Sequence, residues 1–288
     1  MTFHIIASTG RTATTYIAAR LNEGDGIAAT HEGYLGSDKS SAPLLPLINL
    51  ENRQAFQSPE AAEKTVSEKR SDDVIETALE KTGAETLIDV AYYNPMIASA
   101  LLQAHPTMRV IGILRDCESF VRSATTITGE DPMPVGWPDA DKSLSDRERF
   151  IAMGRIRPGR GDEAYEAWKD WSAIRKNIWL WEATNRRLID AANSAPDRVR
   201  LIGFEALKQD PNAFWSALAN HLGIARPPVE PSSPQSDSFR NVKMGAFRNA
   251  KAGGYQIGPS SEWTEDEQDA LQEATDAIRR TANLKRAA

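Results

Sequence analysis

Three groups of residues carry polar chemistry at spacings suited to an anionic ligand. The first is the run Ser8-Thr9-Gly10-Arg11-Thr12-Ala13-Thr14-Thr15. A small-residue turn opening into a helix gathers unpaired backbone amides, the positive end of the helix dipole, hydroxyls and one fixed cation around a single point. The second is Arg115 with Ser123 eight positions later, a guanidinium able to bind in bidentate fashion and a hydroxyl, a pairing that suits a terminal phosphate. The third is the adjacent pair His31-Glu32, either of which can take a proton from an acceptor. Plain structural alternatives stand beside all three. The first run can be only a helix capped by threonines, Arg115 can pair with Asp116 or Glu118, Ser123 can be a buried helix residue, and Glu32 can be a surface carboxylate with His31 serving the loop.

These groups need elements to hold them. Phe3-His4-Ile5-Ile6-Ala7 is short, apolar and partly β-branched, so it reads as a strand, and Ile17 and Leu21 then recur at helical spacing until Asn22-Glu23-Gly24 stops them. A second strand, Gly26-Ile27-Ala28-Ala29-Thr30, delivers His31 and Glu32 to its carboxyl end. Neighbours on an extended strand point to opposite faces, so only one of the two is expected to reach a given acceptor hydroxyl. Residues 58–81 read as a charged helix, mostly a solvated face, with Ser58 as cap and Pro59 in its first turn. Further strand-to-helix units start at Thr86, Val110 and Val199, the last followed by Asp210-Pro211, and a final helix starts near Thr264. Alternating strands and helices predict a three-layer α/β fold around a mostly parallel sheet, with ligands gathered at the carboxyl ends of its strands. Residues 129–161, rich in Pro, Gly and charge, read as a lid on the acceptor side. A Pro-rich linker at 226–234 leads into a basic segment at 236–256. Trp168, Trp171, Trp179 and Trp181 sit at near-helical spacings and are expected to be core anchors.

Composition narrows the classes. The chain has 288 residues, 41% hydrophobic and 26% charged, which is ordinary for a globular protein. Its net charge of −6 argues against a general nucleic-acid binder, which needs a basic face, so any anion must be held by local cations. No apolar run reaches the length of a membrane span, and the opening residues Met1 to Ile6 show no basic start or small-residue cleavage site, so no secretory signal is expected. A cytoplasmic protein is expected, in keeping with a single cysteine, Cys117. His4, His31, His105 and His221 have no ligand spacing, and no metal is expected.

The run Ser8 to Thr15 differs from a nucleotide-triphosphate P-loop, with Ile5 in place of the first glycine and Arg11 in place of lysine. It resembles instead the 5′-phosphosulfate loop of the sulfotransferases that use 3′-phosphoadenosine 5′-phosphosulfate (PAPS), in the arginine-bearing form of the glycan and tyrosylprotein enzymes. Ala13 stands where one glycine is usual. Arg115 with Ser123, behind the strand Val110-Ile111-Gly112-Ile113-Leu114, is similar to the family's 3′-phosphate element. Ile202-Gly203-Phe204-Glu205-Ala206-Leu207, with Asp210-Pro211 and then residues 218–223, looks like its late strand with the Glu-x-Leu, Asp-Pro and Leu-Gly signature. The matches fall in the expected order over most of the chain.

The resemblance implies one P-loop-like sulfotransferase domain over residues 1–288, transferring a sulfuryl group from PAPS without a metal to a hydroxyl or amine of a carbohydrate or small-molecule acceptor. It assigns Gly10, Arg11, Thr12, Ala13, Thr14 and Thr15 to the phosphosulfate and Arg115 and Ser123 to the 3′-phosphate. It also assigns Arg240, Lys243 and Arg248 to a segment closing over the nucleotide, although these three equally suit a solvated basic patch. Arg11 would act in catalysis, with Glu32 as the base and His31 as its rival. The lysine that many relatives carry near this point is absent from Asp89-Val90-Ala91-Tyr92-Tyr93-Asn94-Pro95. Two other readings compete, a small-molecule kinase dependent on Mg-ATP and a non-catalytic nucleotide-binding module.

Overall fold

The run Phe3 to Ala7 is apolar on both faces, so it is stable only where helices cover both sides of it. In a computed structural model, which describes residues 1–35, 42–125, 137, 153–227 and 257–282, this run is β1 (Thr2–Ser8), buried along nearly its whole length. It is followed by α1 (Thr14–Leu21), β2 (Ile27–His31), β3 (Tyr34–Leu35), α2 (Leu50–Gln57), α3 (Pro59–Lys69), α4 (Asp72–Thr82), β4 (Thr86–Ala91) and α5 (Asn94–Ala104). Next come β5 (Val110–Leu114), α6 (Cys117–Thr125), α7 (Ala173–Ser194), β6 (Val199–Gly203), α8 (Ala206–Gln209), α9 (Pro211–Leu222) and α10 (Glu265–Ala282). The strands lie in the order β3-β2-β4-β1-β5-β6, all neighbours parallel except β2 and β3.

Alternation along β1 divides the core. Ile5 and Ala7 face a layer that includes Ile97 and Leu101 of α5 and Leu188 of α7. Ile6 faces the other layer, with Ile17 and Leu21 of α1 and Phe214, Trp215 and Leu218 of α9. Each large apolar side chain so enclosed contributes about 1.5–3 kcal/mol by leaving water. The resulting mixed α/β, three-layer, P-loop-like arrangement leaves the loop after β1 at the carboxyl edge of the parallel strands.

Local signals act as the sequence predicts at several ends. The Ser58 hydroxyl accepts from the Ala61 amide with Pro59 in the first turn. The Asp210 carboxylate accepts from the Ala213 amide at 2.9 Å. The expected helix over 58–81 is instead two, α3 and α4, broken at Arg70-Ser71, and while their charged faces are largely exposed as expected, the break itself is buried. Arg70, the cap residue of α3, is wholly buried, and its Nε and Nη2 donate to Asp89 Oδ2 at 3.2 and 2.9 Å. Its Nη1 donates to the Pro46 and Lys69 carbonyls, and Nη2 also to the Tyr93 hydroxyl. Thr30 Oγ1 of β2 donates to the other Asp89 oxygen at 2.9 Å. A charge can be buried only with partners this complete, and so the break in the helix follows from the pairing.

Removing one member strands the other in the core. Arg70→Met should cost about 3–5 kcal/mol in urea denaturation. A loss below about 1 kcal/mol would remove the ion pair from any role in holding α3 against the sheet.

Candidate active site

The loop after β1 is built from left-handed backbone. Gly10, Arg11 and Ala13 have φ of 78°, 56° and 57°. Only glycine takes this region without steric cost, which for other residues is about 1–2 kcal/mol each. The Ser8 hydroxyl holds the turn, accepting from the Gly10 amide at 3.0 Å and from Thr12 Oγ1 at 2.8 Å. Ala13 is the N-cap of α1, which has no side-chain cap. The reading of these threonines as ordinary caps is therefore not what the loop shows. Successive left-handed turns at a helix start form a concavity of amides suited to an anion.

Two guanidinium groups meet on this loop. Arg11 Nε donates to Ser123 Oγ of α6 at 2.9 Å, and the Arg115 guanidinium donates to the Arg11 carbonyl oxygen. Arg115 Nε donates to Ser119 Oγ at 2.8 Å, and its guanidinium carbon lies 5.0 Å from the centre of the Phe204 ring, where Lys208 Nζ also lies 4.7 Å away. Burial and then the Arg11 charge hold Arg115 down at about 10. Burial lowers Arg11 as well, and burial followed by Arg115 lowers Lys208. Cations depressed by each other and by lost water are relieved by an anion placed between them. Within this cluster Ser123 pairs with Arg11, and Ser119, which the sequence reading passed over, pairs with Arg115. Its signal was the four-residue spacing from Arg115 at the start of α6.

The next strand end brings up the acid–base groups. His31 Nε2 lies 3.2 Å from Thr14 Oγ1 and 3.3 Å from Thr15 Oγ1, which ties β2 to the first turn of α1. Glu32 follows the last residue of β2 with φ of 54°, and its carboxylate reaches to 3.8 Å from His31 Nε2. The two side chains therefore converge, contrary to the expectation of opposite faces, because the left-handed turn at Glu32 ends the alternation. Burial pushes the Tyr92 hydroxyl well above its ordinary range, Glu32 pushes it further, and Arg155 opposes them. Arg155 is buried, with its guanidinium 5.7 Å from the Trp137 ring centre. Tyr92 and Arg155 stand at this edge without any motif having marked them, since neither lies in a run of recognisable spacing.

Asp89 is committed to the buried pair with Arg70. Of the four tryptophans expected in the core, only Trp181 is buried, and its indole Nε1 donates to the Arg115 carbonyl at 2.8 Å. Trp168, Trp171 and Trp179 are half-buried. Arg240, Lys243 and Arg248, with the whole segment 236–256, lie outside the described residues, as does most of the expected lid at 129–161. Among the described residues there is no group of three or more His, Cys, Asp or Glu side chains placed to hold a metal ion, and no helix long and apolar enough to cross a membrane.

The chain is a mixed α/β protein around a six-stranded, mostly parallel sheet, with Arg11 in the loop after β1 where a nucleotide-triphosphate P-loop has lysine. No family model and no curated protein sequence matches the chain. Among solved structures it is similar to the sulfotransferase domain from the curacin biosynthetic pathway, at 13% identity over 94% of this chain and 96% of that one, with a TM-score of 0.43. It is similar to a sulfotransferase from Alicyclobacillus acidocaldarius at 15% identity over 96% and 98% of the two chains, TM-score 0.42. A sulfotransferase from Mycobacterium avium gives 11% identity over 96% and 76%, TM-score 0.48.

The left-handed Ala13 gives a direct test of loop geometry. Ala13→Gly should raise stability by about 0.5–1 kcal/mol, the relieved strain exceeding the added unfolded-state entropy. Loss of stability in urea denaturation would show that the loop does not hold this conformation in solution.

Proposed function

We propose that the chain is a sulfotransferase that uses PAPS as donor and acts on a hydroxyl or amine of a carbohydrate or small-molecule acceptor. The observation that carries this reading is the convergence of Arg11 and Arg115, both held below their ordinary values, on one left-handed amide loop. That loop and its arginine-to-serine partner element also carry the sequence resemblance. The residues fit the donor. Gly10, Arg11, Thr12, Ala13, Thr14 and Thr15 would hold the phosphosulfate end, and Arg115 with Ser119 and Ser123 the 3′-phosphate, with Phe204 beside them. Arg240, Lys243 and Arg248 remain candidates to close over it.

When bound, PAPS supplies the sulfuryl group. Arg11 and the loop amides orient the anionic end and stabilise the charge that develops there, without having to reorganise. Glu32 takes the acceptor proton on a carboxylate oxygen. His31 serves as a positioning residue, its Nε2 bonded to the threonines that fix α1 against β2. Tyr92 feels the Glu32 charge and, in the opposite sense, that of Arg155.

Adenosine 3′,5′-bisphosphate should raise the melting temperature with no added metal, by mass action worth about 2.7 kcal/mol at roughly 100 times its dissociation constant. A clear shift with Mg-ATP and none with the bisphosphate would assign the chain to the kinases. A shift with PAPS but no turnover across an acceptor panel would make it a binding module. Arg115→Ala should abolish most of the preference for nucleotides bearing the 3′-phosphate, whereas Arg11→Ala should lower turnover as well as affinity.

Glu32→Gln should leave bisphosphate affinity nearly intact and depress turnover by about 100-fold or more, with His31→Gln doing much less. If the histidine variant is the inactive one, the two exchange roles.

A further inference from the structure

A second cationic site lies beyond the acid–base groups. Between the C-terminal half of α2 and the segment 157–169 is an open cleft of about 910 Å³, large enough to seat a disaccharide-sized ligand. Arg53, Arg157, Arg160 and Lys169 line it against two carboxylates, Asp162 and Glu166. One of those is already engaged, since Asp162 Oδ1 accepts from the Ala164 amide at 2.8 Å. Burial, followed by the neighbouring Arg157 charge, lowers Arg53. Among the described residues none of these four cations is in an ion pair. The remaining wall is aromatic, with Phe56, Tyr165 and Trp168.

The aromatic wall connects this cavity to the proposed base. The Trp168 and Trp137 rings meet edge to face at 5.3 Å, Arg155 lies over Trp137, and Arg155 and Glu32 both act on Tyr92. Trp168 also meets Trp179 of α7 at 5.1 Å, and Trp179 meets Phe56 at 5.6 Å. Trp137, which touches both Trp168 of the cavity wall and Arg155, is thus the link between the cavity and the residues near Glu32.

We propose that this cavity binds the acceptor through an acidic group, so that the substrate is a ring-bearing hydroxyl compound carrying a carboxylate or sulfate. This rests on the sulfuryl-transfer reading for what happens to the hydroxyl, but the binding itself does not depend on the nucleotide. Guanidinium forks at Arg53 and Arg157 match the two oxygens of such a group, and the faces of Trp168 and Tyr165 suit the ring that carries it. Selectivity follows from charge. A neutral analogue would leave the repulsion that Arg157 exerts on Arg53 in place, and an acid offsets it.

The test is titration calorimetry on the full chain with two matched pairs of probes. One pair is a glucuronate-terminated disaccharide and its glucose-terminated counterpart; the other is 4-hydroxyphenylacetate and its amide. We expect at least one acid to bind about tenfold or more tightly than its neutral partner, the preference shrinking as salt is raised, and the pair that responds distinguishes sugar from aryl acid. Arg53→Ser combined with Arg157→Ser should abolish the preference. The thermal shift with adenosine 3′,5′-bisphosphate should survive in that variant, showing an intact fold. Absence of preference in both pairs, or a preference that persists in the double variant, overturns the proposal. Absence of the bisphosphate shift in the unmutated protein would instead count against the donor assignment and leave the calorimetric result to be judged by itself.

Discussion

Two like charges in partial burial set the terms for the whole carboxyl edge of the sheet. Arg11 and Arg115 each lose hydration, and Arg115 is further lowered by its neighbour, so the protein spends folding energy to hold them together. What permits it is the set of hydrogen bonds around them. Ser123 and Ser119 take one Nε each, and the Arg11 carbonyl takes an Arg115 N–H. The Arg115 carbonyl in turn is fixed by the Trp181 indole. Arg115 directly follows β5 and Arg11 lies in the loop after β1, strands that are neighbours in the sheet, registered so that Ser8 pairs with Ile113. Parallel pairing of those strands is thus what brings the two cations to one place.

Backbone strain falls at the same edge. The non-glycine residues with positive φ among those described are Arg11, Ala13 and Glu32, all within the loop after β1 or the turn after β2. Each is a residue to which the proposed chemistry assigns a role, and such conformations persist only where the surroundings over-determine them. At Arg11 and Ala13 the conformation turns amides outward, and at Glu32 it swings the carboxylate out of the strand's alternation and toward His31. The strain therefore has a directional consequence in both places.

Much of this was legible from local signals, and what was not has a common cause. β1, its loop and α1 were readable because an apolar run, a small-residue turn and a helical repeat are each written within a few residues, as were the Ser58 and Asp210 caps. The sheet order was not, since β4 inserts between β2 and β1 through pairings that no local pattern encodes. Arg70 looked like one more charge on a charged helix. Its burial depends on Asp89, nineteen positions away, with Thr30 and Tyr93 completing the set. Glu32 lies at a strand end as expected, but its direction was misread because a left-handed non-glycine residue leaves no mark in composition. Trp168, Trp171 and Trp179 were expected in the core for their spacing and hydrophobicity. Instead they form a half-buried aromatic wall, as the packing around residues 157–169 leaves their outer faces uncovered.

One helix holds both halves of the proposed reaction at a set separation. The hydroxyl of Ser172 accepts from the Arg175 amide and starts α7. Within its first three turns Asn177 donates to Thr125 Oγ1 of α6 and to the Trp137 carbonyl, and accepts from the Trp137 amide. Trp179 then packs on Phe56 and Trp168 at the cationic cavity, and Trp181 reaches Arg115 at the anion loop. Two residues apart on a helix, Trp179 and Trp181 point about 200° apart around its axis, which sends one toward each site. The two proposed sites are therefore referenced to the same rigid element. That is what transfer between two separately bound anionic molecules demands, because each must be held by its own cations, and the distance between them must come from the protein.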